Sequence, residues 1–131
     1  MTGDEVALST DEDVVRARHV TRRLAVEAGL RLVDQTKLVT AVSELARNTV
    51  IHGGGGVMTA ELVHDGPRTG VRVSCQDEGP GIADLDRAYQ DGYTTGNGLG
   101  LGFGGARRLV HDFDVATAPG QGTTVTVVRW G

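Results

Sequence analysis

Cysteine is almost missing from this sequence. The one thiol, Cys75, leaves no internal disulfide and no thiolate zinc cluster, and its place in an apolar, strand-like run assigns it to packing rather than to nucleophilic chemistry. Aromatic residues make up 4% of the chain, too few for the stacking platforms that single-stranded nucleic acids lie on. Positive charge is not in excess either. Thirteen Lys and Arg stand against seventeen Asp and Glu, so the net charge of -4 lacks the clustered positive field that offsets phosphate. Short basic clusters at Arg16, Arg18, Arg22 and Arg23 and at Arg107 and Arg108 lie on expected helices among acidic neighbours and read as solvated or partner-facing surface. No apolar run is long enough to cross a bilayer, and the opening Met1-Thr2-Gly3-Asp4-Glu5 is acidic, unlike a signal peptide. These absences lead us to expect a soluble cytoplasmic protein with neither nucleic acid nor membrane as partner. A chain of 131 residues, 39% of them hydrophobic, is expected to form one domain, residues 1–131, around a single core.

Glycine is the abundance: the chain has 20, most of them after residue 52, with no collagen period. Such enrichment points to loops whose backbone must approach something closely. Around these loops the pattern is α/β. Val6-Ala7-Leu8-Ser9 reads as an edge strand, and Thr10-Asp11-Glu12-Asp13 as a helix start. Val14, Val15, Ala17, Val20, Leu24, Ala25 and Ala28 give the first helix an apolar face that stops at Gly29. A second helix is expected from about Val33 to Ile51, with the broader apolar face of an element packed under a sheet. Residues 57–63 and 71–77 read as a hairpin about a turn at 65–70, with Val71, Val73 and Cys75 pointing inward. From Glu78 to Gly105 the chain becomes loop-like, with a short helical stretch near residues 83–90. Leu101, Phe103, Ala106, Leu109 and Val110 restore helical spacing, and 113–117 and 123–128 form a last hairpin.

The polar interruptions of the second helix carry the chemistry. Glu44 and Asn48 are four residues apart and project from one face, a carboxylate one turn from a carboxamide. A carboxylate can take a proton from a nucleophile, and an amide oxygen is a hard ligand suited to Mg²⁺. Taken alone, the pair is also what a solvated helix face presents. Three well-known phosphate templates fail: there is no GxxxxGK[ST], no strand and distant acid to make Gly98-Leu99-Gly100-Leu101-Gly102 a dinucleotide turn, and no HRD or DFG.

One ordered set of motifs does match. Glu44-xxx-Asn48, Asp77-x-Gly79-x-Gly81, Gly96-x-Gly98-Leu99-Gly100-Leu101-Gly102 and Gly120-x-Gly122-Thr123 resemble the ATP-binding motifs of the GHKL superfamily. Each is weak alone and all four in order are specific. The resemblance covers essentially the whole chain and implies the Bergerat fold, a two-layer α/β sandwich with a mixed, mostly antiparallel sheet and helices on one face. Ser43-Glu44-Leu45-Ala46-Arg47-Asn48, Asp77-Glu78-Gly79-Pro80-Gly81-Ile82 and the terminal Gly-x-Gly-Thr are similar to the small bacterial anti-sigma regulatory serine/threonine kinases. Asp91-Gly92-Tyr93-Thr94-Thr95 and Val128-Arg129-Trp130 point within that group to the stressosome switch kinases.

The resemblance implies ATP and Mg²⁺ as cofactors and a role for each residue. Asp77 would accept a hydrogen bond from the adenine amino group, with Thr123 assisting through water. Gly79 and Gly81, with Ile82 after them, would let backbone pass beside the base. Gly98, Leu99, Gly100, Leu101 and Gly102 would lead into a helix N-terminus whose free amides favour phosphate. Asn48 would be the Mg²⁺ ligand and Glu44 the general base toward a serine or threonine hydroxyl or water. Arg47 and His52 flank the pair, either against phosphate or partner or as solvated surface. A chain this short has no room for a substrate lobe, so the substrate must be another folded protein. The resemblance implies a STAS-domain antagonist, and as a second role activation of a metal-dependent phosphatase. The competing expectation is an ATP-binding module that sequesters a sigma factor or another partner with little kinase activity. A sensor histidine kinase is the weaker alternative, because His19 lacks a phosphoacceptor hairpin and reads as ordinary helix surface.

Overall fold

The computed structural model describes residues 3–79, 103–117 and 120–131. Helix α1 spans Asp11–Glu27. Asp13, at its third position, accepts hydrogen bonds from the backbone amides of Ser9 (2.8 Å) and Thr10 (3.0 Å), which ties the approaching chain to the first turn. Val14, Ala17, Thr21, Leu24 and Ala25 form the buried stripe. Gly29, at φ 80°, ends the helix in a left-handed cap, with Leu30 N–H donating to Ala25 O and Gly29 N–H to Val26 O. Helix α2 spans Leu32–Ile51 and buries Leu38, Val39, Ala41, Val42, Leu45, Ala46 and Thr49.

Five strands complete the sandwich: β1 Gly3–Leu8, β2 Gly56–Asp65, β3 Arg68–Asp77, β4 Asp112–Thr117 and β5 Thr123–Trp130. Their order is β1-β2-β3-β5-β4, and each of the four pairings is antiparallel. Met58, Ala60, Val71, Val73, Cys75, Val125 and Val127 are buried in alternate positions and join α1 and α2 in one core. Glu5, Thr59, Arg72 and Asp114 on the intervening positions are exposed, so the helices cover one face and water the other. The expected two-layer α/β sandwich is therefore what the chain forms.

Element limits differ from expectation where side-chain pattern is a poor guide. The β2–β3 hairpin is tighter than a turn over 65–70: only Gly66 and Pro67 lie between the strands, and Gly66 takes φ 60° as the first residue of a two-residue turn of the hairpin type. Strand β1 begins at Gly3, ahead of its apolar residues, because pairing to Glu61 and Ala60 extends it. The short α3, Phe103–Arg108, stops before Leu109 and Val110, and Phe103 meets Phe113 edge to face with centroids 5.7 Å apart.

A cross-link closes the distal end of the sandwich. Arg129 on β5 donates to Asp34 Oδ1 on α2 at 2.6 Å and to Leu109 O at 3.0 Å. The hydrogen bond from Arg129 holds the Asp34 carboxyl below the usual carboxylate range; partial burial opposes it, and the charges of Arg129, Arg31 and Lys37 add to it. A depressed folded-state value stabilises above the unfolded-state value, about 3.9, and the benefit is lost as pH falls through the folded-state value. Asp34→Asn should therefore melt below the wild type at pH 7, and the gap should close on acidification below about pH 4. A melting-temperature gap that stays constant from pH 7 to pH 3 would contradict the cross-link.

Candidate functional site

The site begins with a strand's period. On β3, Val71, Val73 and Cys75 face the helices, and the next position in that row is Asp77. Alternation thus delivers a half-buried carboxylate to the end of a core row, where α2 runs out. Register makes it part of a line across the sheet: Gly56 of β2 pairs with Asp77, Asp77 with Thr123 of β5, and Thr123 with Thr117 of β4. Thr123 is buried, its hydroxyl 2.9 Å from that of Thr117, which also donates to Gly122 O at 3.0 Å.

The walls of this line are backbone. Gly53 follows the last turn of α2, and a Cβ on it would stand 2.4 Å from Asp77 Cγ. Gly122 combines φ 79° with an approach that would put a Cβ 2.2 Å from Asp77 O. Gly79 N–H donates to Asp77 Oδ1 at 2.9 Å, fixing the carboxylate, and a Cβ on Gly79 would meet Gly53 O at 2.7 Å. Gly79 was expected to be small so that backbone could pass beside a base. The protein supplies its own reason, because the loop after α2 already occupies that space. Between residues 53–57 and the end of β3 at Gln76, Asp77 and Glu78 opens a cleft of about 530 Å³.

Cys75 lies directly behind this carboxylate. Burial pushes its thiol up to about 12, a hydrogen bond with Thr49 opposes the shift, and the Asp77 charge adds to it. At neutral pH the group is a buried, protonated thiol, as the packing assignment expects. Glu44 and Asn48 are half-buried on α2, one turn apart, beside the buried Leu45, Ala46 and Thr49. Arg47 and His19 are exposed, and His52 is half-buried at the helix end. Gly81, Ile82, Gly98, Leu99, Gly100, Leu101 and Gly102, with the helical stretch expected at 83–90, lie outside the described residues. The structure therefore brings together Asp77, Gly79 and Thr123 of the expected set. It adds Gly53 and Thr117. A clue to Gly53 was present, since one glycine suffices to stop a helix and four follow His52.

Among the described residues no group of three or more His, Cys, Asp or Glu could hold a metal ion, and no helix is long and apolar enough to cross a membrane. A carboxamide such as that of Asn48 fits an ion that arrives with phosphate and water, since Mg²⁺ keeps several waters and takes one or two protein ligands.

Among the described residues, the α/β sandwich ends in a cleft where a strand-terminal carboxylate lies between glycine walls. Residues 33–130 match the family described as histidine kinase-, DNA gyrase B-, and HSP90-like ATPase, and the chain belongs to that family. Within it the chain is 38% identical, over 95% of its length and 94% of the relative's, to the serine/threonine-protein kinase RsbT of Bacillus subtilis. It is also 30% identical to the anti-sigma F factor of a Thermoanaerobacter species, over 94% of this chain and 89% of that one. Among solved structures, the RsbU and RsbW domains of a Mycobacterium tuberculosis protein superpose with a TM-score of 0.67 at 26% identity. That match covers 98% of this chain and 32% of the other, so this chain spans about a third of that two-domain structure.

The close approach of Gly53 gives a test. Gly53→Ala must displace the Asp77 carboxylate, so affinity for MgADP should fall about tenfold, as for loss of one hydrogen bond to a charged group. Isothermal titration calorimetry measures it, and unchanged affinity in a folded variant would remove Asp77 from the binding site.

Proposed function

We propose that this chain, residues 1–131 as one ATP-binding unit, is an ATP-dependent serine/threonine protein kinase of a bacterial partner-switching pathway. Its substrate is a STAS-domain antagonist protein, its second partner a metal-dependent phosphatase that it activates, and its place of action the cytoplasm. The observation that carries the reading is the carboxylate of Asp77, aligned with Thr123 and enclosed by Gly53 and Gly122, in a chain similar over nearly its full length to a serine/threonine-protein kinase.

Asp77 accepts a hydrogen bond from the exocyclic amine of adenine through Oδ2, while Gly79 N–H donates to Oδ1. Gly81, Ile82 and residues 98–102 complete the nucleotide site, the glycines giving amide donors to phosphate. Asn48 would be the protein ligand of Mg²⁺, and that ion would supply neutralising charge to the phosphates. Glu44, one turn away, takes the proton of the incoming serine or threonine hydroxyl as that oxygen bonds to the γ-phosphorus and ADP departs. Arg47 on the same helix is exposed, which leaves it available to a phosphate or a partner protein.

A second reading, an ATP-binding anti-sigma or partner-sequestering module, draws on the similarity to anti-sigma F factors. Incubation with MgATP and candidate STAS proteins, followed by mass spectrometry, separates the two. The kinase reading expects a phosphoserine or phosphothreonine on one of them, and no phosphoprotein with any would favour sequestration. Glu44→Gln should slow transfer roughly 100-fold or more with ADP binding retained. Asn48→Ala should weaken MgATP binding itself. Transfer at the wild-type rate by Glu44→Gln would remove that carboxylate as the base.

A further inference from the structure

Resting on the kinase reading and on Glu44 as its base, we infer that the substrate protein docks along the exposed stripe of α2, with Ile51 as its apolar anchor and an acidic part of it beside Lys37. Seven residues make two helical turns less about 20°, so Lys37, Glu44 and Ile51 lie nearly on one line along the helix. Thr40 and Arg47, four positions before Glu44 and three after it, border that line. Lys37, Thr40, Arg47 and Ile51 are all exposed, and Ile51 keeps 43% of its surface in water. An exposed isoleucine is ordinary by itself. Its place singles this one out.

The base fixes where the substrate protein must lie, because proton transfer needs the acceptor hydroxyl within hydrogen-bond reach of the Glu44 carboxylate. A folded partner covers about 800 Å² on each side of a standard interface, which is a disc of about 16 Å radius. At about 1.5 Å of rise per residue, Lys37 and Ile51 are each about 10 Å from Glu44 along the helix. A protein centred on Glu44 therefore covers both. The stripe sets Lys37 and Arg47 against the single carboxylate of Glu44, so the surface that fits it is acidic near the two cations and apolar where it meets Ile51. Leu32 is more exposed, at 70%, yet it is about 18 Å from Glu44 and about 120° round the helix, beyond that footprint.

The test measures steady-state transfer from MgATP to the STAS-domain protein that the wild type phosphorylates, comparing the wild type with Ile51→Ser, Ile51→Val, Lys37→Gln and Leu32→Ser. Ile51→Ser should raise the KM for that protein about tenfold, the scale of returning half an aliphatic side chain to water, while kcat and MgADP affinity hold. Ile51→Val, which stays aliphatic, should remain within about twofold of the wild type. Lys37→Gln should raise KM about threefold and flatten its dependence on salt. Leu32→Ser should leave both constants unchanged. Melting curves and MgADP calorimetry identify a variant that fails to fold, and Ile51→Ala then carries the expectation of Ser. An unchanged KM or a fall in kcat alone in folded Ile51→Ser, or an equal rise of KM in Leu32→Ser, would overturn the docking stripe. A KM indifferent to salt and to Lys37→Gln would overturn its acidic half. A wild type that transfers phosphate to no STAS protein would instead overturn the kinase reading on which the stripe rests.

Discussion

The backbone leaving α2 and the carboxylate ending β3 lie so close that no side chain fits between them. A Cβ on Gly53 would overlap Asp77, one on Gly79 would overlap Gly53, and one on Gly122 would overlap the Asp77 carbonyl. These three contacts fix where the helix layer stops relative to the sheet, and among the described residues they border a cleft at that end of the sandwich. Everything proposed for the cleft depends on that spacing, because an adenine-sized ligand needs a flat slot with its polar group at a fixed depth.

Stability alone does not favour this arrangement. A carboxylate is placed in the row that otherwise reads Val71, Val73 and Cys75, next to the negative end of a helix dipole and beside a thiol that burial keeps protonated. The Gly79 amide offsets only part of that cost. Local rules broken at one place, with the core rows intact elsewhere, are the mark of a site kept for ligand binding. The distal end shows the opposite character: the Asp34–Arg129 pair joins α2 to β5 where the proposed chemistry asks nothing. Among the described residues the sandwich is stapled at one end and has a cleft at the other.

Much of this was legible in the sequence, and the reasons are specific. Period two along β3 already puts Asp77 in line with Val73 and Cys75, and the helical spacing of Leu38, Val42, Leu45 and Thr49 leaves Glu44 and Asn48 at the border of the buried face. The ordered motifs then give the family, which the match over residues 33–130 bears out. What stayed hidden depends on contacts distant in the chain. The extension of β1 to Gly3 depends on pairing with β2, and the end of α3 before Leu109 on the turn in which Leu109 N–H donates to Ala106 O. The closeness of Gly53 to Asp77 depends on where α2 ends over β3, and the contact of Thr117 with Thr123 on the register that brings Asp77, Thr123 and Thr117 onto adjoining strands. No spacing along one segment encodes that line.

The proposed site for the base of ATP is the cleft beside Asp77. The most direct measurement is a titration of the ¹⁵N-labelled chain with MgADP, followed through its assigned amide resonances. Among the described residues, the largest shifts should fall on Gly53, Gly54, Asp77, Gly79 and Thr123, while Arg68 and Trp130 at the far end stay in place. Saturable binding that leaves the amides of Gly53, Asp77 and Thr123 unmoved would contradict it.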